Sequence, residues 1–111
     1  MLLAAIFVVS PAHATGGLVC ATASGQPTRI SFVIGHGEAG GILSAHRLTG
    51  REWRNATVGQ SWISDRELKV DLVDTSHNRR LVRIEARRNG YTYDGTVTEA
   101  GKRRWIRCRE G

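Results

Sequence analysis

The segment LVRIEARRNGYTYDGTVTEAGKRRWIRCRE, Leu81 to Glu110, decides the fold. Val82, Ile84 and Ala86 alternate with Arg83, Glu85 and Arg87, a period of two that marks a half-buried strand. Asn89-Gly90 follows, the residue pair that tolerates positive φ at both centres of a type I′ turn. Tyr91 to Thr98 then returns as the partner strand. A loop of Asn89 and Gly90 pairs Arg88 with Tyr91, Ala86 with Tyr93, Ile84 with Gly95 and Val82 with Val97, so one face is wholly apolar or small. On the other face Arg87 meets Thr92, Arg83 meets Thr96, and Glu85 stands opposite Asp94. Two facing carboxylates repel, with Arg83 and Arg87 one pleat to either side as the offset.

A second reversal at Glu99-Ala100-Gly101 leads into Lys102 to Arg109. If Ile106 and Cys108 point inward, then Arg103, Trp105, Arg107 and Arg109 form an outward stripe. A slip of one residue reverses the set and buries Trp105. A cysteine engaged in a disulfide favours the first register.

Upstream, Leu18 to Ala23, Arg29 to Ile34 and Ile42 to Leu48 read as strands, with Trp53 to Val58 and Ser61 to Ile63 as two weaker ones. Leu68, Val70 and Leu72 alternate with Glu67, Lys69 and Asp71. Ser64-Asp65-Arg66-Glu67 has the spacing of a helix capping box, yet strict alternation with a β-branched Val70 argues for a strand. The fold class is therefore all-β: a small antiparallel barrel or tight sandwich of seven to eight short strands.

The N-terminus has a different character. Leu2 to Val9 is an uncharged apolar run too short to span a bilayer, and Ala12-His13-Ala14 offers the small residues that a signal peptidase reads. Residues 1–14 are expected to be a cleavable signal peptide and 15–111 a single domain. Export to the periplasm or beyond places Cys20 and Cys108 in an oxidising compartment, where an even cysteine count means pairing. Their bridge joins the first strand to the last.

The chain has 16 Lys and Arg against 10 Asp and Glu, a net charge of +6. Thr15 to Asn78 is balanced, six of each sign, whereas Arg79 to Arg109 holds ten basic residues and only Glu85, Asp94 and Glu99 as acids. A concentrated positive surface attracts anionic polymers and surfaces. Outside the cytoplasm these are acidic polysaccharide, lipid or acidic protein rather than nucleic acid. Arg83, Arg87, Arg103, Trp105, Arg107 and Arg109 are the candidate binding residues, combining charge with a stacking indole.

Signals for catalysis are sparse. His36-x-Glu38 lies in a glycine-rich loop, Gly35 to Gly41, and His46 could add a third ligand in a small metal-binding hydrolase. Ser24-Gly25 and Ser61-Trp62 lack the spacing of a nucleophile elbow. The expectation is a non-enzymatic binding domain with no cofactor. The layout, an exported barrel of this length stapled between early and late strands, resembles the periplasmic and membrane-bound inhibitors of C-type lysozymes. That resemblance implies an inhibitor or accessory protein; from the residues themselves, such a protein would use the Gly35 to Gly41 loop or the Trp53/Trp62 region. The inhibitors' Ser-Gly loop precedes a Tyr in mid-chain, whereas Ser24-Gly25 here follows the first strand and precedes Gln26-Pro27. No inhibitory residue carries over, and a +6 chain is repelled by a basic lysozyme.

Overall fold

The computed structural model describes residues 16–23, 28–35, 41–74, 76 and 79–111. The expected leader, the His36-x-Glu38 cluster, Ser24-Gly25 and His77 lie outside them. The strands are β1 (Gly16–Thr22), β2 (Arg29–Ile34), β3 (Ile42–Thr49), β4 (Glu52–Ile63), β5 (Glu67–Asp74), β6 (Arg79–Asn89), β7 (Thr92–Glu99) and β8 (Lys102–Glu110). Each pairs antiparallel with the next, and β8 pairs back on β1 to close an eight-stranded barrel. Closure removes the sheet edges that an open meander would leave.

Alternation sorts the side chains. Ile30, Phe32, Leu68, Leu72, Ile84 and Ile106 are buried on the inward face and fill the barrel. Cys20 and Cys108 are directly opposed on β1 and β8, joined by a disulfide and wholly buried. The bridge thus lies across the seam where the first and last strands meet. It is compatible with an oxidising, exported compartment. Among the described residues no helix is long and apolar enough to cross a membrane.

The β6–β7 hairpin differs from the sequence expectation by two residues. Asn89 pairs with Thr92, Arg88 with Tyr93, Ala86 with Gly95 and Ile84 with Val97, so the loop is Gly90-Tyr91. Gly90 alone of the two has positive φ (65°), as a type II′ turn requires of its first central residue. A shift of two keeps every side chain on its expected face. What changes is the partner across the outer surface. Glu85 now faces Thr96, and Asp94 sits between Arg87 and Arg107, which replaces a carboxylate repulsion by attraction.

One further expectation is corrected and one is met. Trp53 to Val58 and Ser61 to Ile63 are one strand, β4, interrupted by a bulge between Val58 and Ser61. Its early residues pair with β3 and its later ones with β5, and no residue of β4 is buried. Ala56, Val58 and Ile63 pack against the core, but the bulge after Val58 shifts the parity between them, so β4 shows no clean alternation. The segment after Ser64 is a strand, as the alternation predicts, and Ser64 caps no helix: its Oγ accepts from the amides of Arg66 and Glu67, 3.2 Å each, inside the β4–β5 turn.

Candidate functional site

Register places the expected binding residues on the outer face of β6 and β8. Along β8, Arg103, Trp105 and Arg109 are exposed while Ile106 and Cys108 are buried, so the outward stripe stands as expected. Trp105 is 52% exposed, flanked by Arg103 and Arg107 on its own strand and by Thr96 on β7.

The six residues do not form one uniform patch. Arg107 grips Asp94 with its fork, Nε to Oδ1 at 2.7 Å and Nη2 to Oδ2 at 3.0 Å. Asn89 Nδ2 donates to the same carboxylate at 2.8 Å, and the Thr92 hydroxyl lies 2.9 Å from it. These donors, Arg107 first, hold the Asp94 carboxyl far below its ordinary range and raise Arg107 above its own. Arg83 makes the corresponding fork on Asp71, at 2.9 and 3.2 Å, with Arg80 Nε 3.5 Å from Oδ2. The Arg83 hydrogen bond pulls Asp71 downward against a desolvation that pushes it up. Two of the five arginines in this set are thus neutralised locally. Arg87, Arg103 and Arg109 are exposed and make no ion pair with a described residue.

The barrel ends are unlike one another. Beside the β6–β7 turn, Tyr93 points inward and its hydroxyl donates to the Ser64 carbonyl at 2.5 Å, with the Arg88 guanidinium 5.2 Å from its ring centroid. The opposite mouth is polar. Glu99, on the inward parity of Val97 and Tyr93, forms ion pairs with Arg47 from β3 and Arg104 from β8, the latter at 3.3 Å. Thr28 donates to Glu99 Oε1 at 2.9 Å and accepts from Arg104. Burial lowers the Arg47 pKa by desolvation. Arg79, Arg80 and Lys102 complete the rim of an open depression of ≈ 1070 Å³.

This mouth was not singled out from the sequence, since its residues come from four strands and the segment before β2. Parity was the available signal. Arg104 shares a face with Ile106 and Cys108, and an inward arginine must lie where the barrel opens.

His46 lies on β3 between Ser31 and Asn55, and among the described residues no group of three His, Cys, Asp or Glu could hold a metal ion. Trp53 and Trp62 are both exposed on β4. The fold and these surfaces define a small disulfide-closed antiparallel barrel with a basic mouth and an arginine-rich flank. No protein-family model, curated protein or solved structure matches the chain.

Proposed function

We propose that the protein is an exported, non-enzymatic binding domain that docks on an anionic envelope surface or acidic partner through the outer face of β6 to β8. The observation that carries this reading is Trp105, half exposed between Arg103 and Arg107 on a strand whose other face is locked inward by Cys108. An indole platform flanked by guanidinium groups suits an acidic sugar or headgroup through charge and stacking. Arg87 and Arg109 extend the charge toward the β6–β7 turn. Arg83 and Arg107, tied to Asp71 and Asp94, act as a rigid part of that face rather than as free charges.

Binding to dextran sulfate, followed by Trp fluorescence, tests the reading. Affinity should fall steeply between about 20 and 200 mM salt, because exposed charges are screened beyond a Debye length of about 8–10 Å at physiological strength. Trp105→Ala should weaken binding about fivefold or more, and Arg103→Ala with Arg109→Ala should weaken it further. Salt-independent binding, or an unchanged affinity for Trp105→Ala, would refute it.

A second reading, an inhibitor or accessory subunit, is favoured by β4, which has no buried residue and exposes both Trp53 and Trp62. Retention of one enzyme by the immobilised protein, lost in Trp53→Ala with Trp62→Ala, is its test.

A further inference from the structure

The +6 charge is not spread evenly over the barrel. On the flank, Asp71 and Asp94 neutralise Arg83 and Arg107, whereas at the mouth Arg47, Arg79, Arg80, Lys102 and Arg104 surround a single carboxylate, Glu99. We propose that this mouth is a discrete anion site for a phosphate group, separate from the flank and independent of its role.

Three features argue for it. The depression is concave, and cations at its walls focus their field into it more strongly than the same charges would on a convex flank. Glu99 serves as an anchor: it holds Arg47 and Arg104 on the inward face, and the Thr28 hydroxyl bonds both Glu99 Oε1 and the same Arg104 Nη2 that meets that oxygen. Arg47 is partly exposed at the mouth, and a guanidinium carries five donors, more than one carboxylate can accept. The rim supplies the mobile charge. Arg79 and Lys102 are exposed and make no ion pair with a described residue, while Arg80 is shared with Asp71 at 3.5 Å.

The charge count selects the class of ligand. With Arg80 set against Asp71, one carboxylate among the four other cations still leaves an excess that a single monoanion would not compensate, and a phosphate with two negative charges gains more from it. Guanidinium forks match tetrahedral phosphate oxygens from several sides at once. The repulsion from Glu99 acts on any anion and is exceeded by the surrounding cations.

Inorganic pyrophosphate is the probe, titrated calorimetrically into the protein at about 20 mM salt, with amide shifts followed by NMR. Saturable binding with shifts centred on Thr28, Glu99 and Lys102 is expected. Arg79→Ala with Lys102→Ala should weaken it about tenfold, whereas Arg87→Ala with Arg109→Ala, on the flank near the opposite end, should leave it unchanged. No saturable binding, or equal weakening by both double variants, overturns the site. Failure of dextran sulfate to bind the flank leaves this result untouched, so the two proposals fail separately. Phosphatidylglycerol vesicles identify the source of the phosphate: displacement of bound protein by pyrophosphate assigns a lipid headgroup, and pyrophosphate binding without vesicle binding assigns a soluble phosphate.

Discussion

Replacing Cys20 and Cys108 by alanine should remove a large part of the barrel's stability. The bridge spans a sequence separation of 88 residues. In the chain-entropy treatment, closing such a loop costs the unfolded chain about 15 cal/mol/K, or about 4.6 kcal/mol at 25 °C. A domain of this size has about 5–15 kcal/mol in total, so the loss is a third or more of it. Urea unfolding followed by fluorescence reads the effect. With an m-value of about 1–2 kcal/mol/M the midpoint should fall by about 2–5 M. Because the unbridged chain expands further when unfolded, m itself should rise, and the free energy extrapolated to water is the quantity to compare.

Wild-type protein unfolded with and without dithiothreitol supplies a control in which no side chain is altered. In the folded state both cysteines are wholly buried, so reduction must wait for opening of the β1–β8 seam and should be slow without denaturant. A loss below about 1 kcal/mol in both experiments would refute the reasoning.

Gly95→Ala should destabilise by about 3 kcal/mol, read by thermal unfolding: a Cβ there meets the Glu85 carbonyl oxygen and comes within 2.6 Å of Ala86 Cα, both backbone atoms that cannot swing aside. Tyr93→Phe should cost about 1–2 kcal/mol by urea titration, because the Ser64 carbonyl loses its donor at the closed end of the barrel. Asp94 and Asp71 have folded pKa values below the ordinary carboxylate value near 4, so their contribution is present above that value and is lost as the pH falls toward the lowered ones. Stability measured at pH 7 and pH 3 should therefore fall less in Asp94→Asn than in the wild type.

Face assignment was legible in the sequence wherever a strand borders the core. Ile106 and Cys108 predicted the outward position of Trp105, and Val70 correctly overrode the capping pattern at Ser64. Strand partners were less legible. The two-residue offset of the β6–β7 hairpin sets Arg87 rather than Glu85 opposite Asp94, a charge pairing that the Asn89-Gly90 turn signal, read alone, does not weigh. The continuity of β4 was hidden for a different reason: the bulge after Val58 breaks the period of two between Ala56 and Val58 on one side and Ile63 on the other. The mouth was obscured because Arg104 reads as one of a basic run, Lys102 to Arg104, until inward parity separates it from Arg103.

The covalent closure of the β1–β8 seam also has a mechanical consequence. Force applied to the two ends of the chain passes from Cys20 to Cys108 through the disulfide and bypasses the strands between them. While the bridge is intact, those strands form a loop that tension along the chain cannot lengthen. Reduction opens the loop, and the same pull would then release on the order of 300 Å of chain at about 3.3–3.6 Å per residue. The redox state of one buried bond therefore determines whether this barrel behaves under tension as a fixed link or as an extensible one.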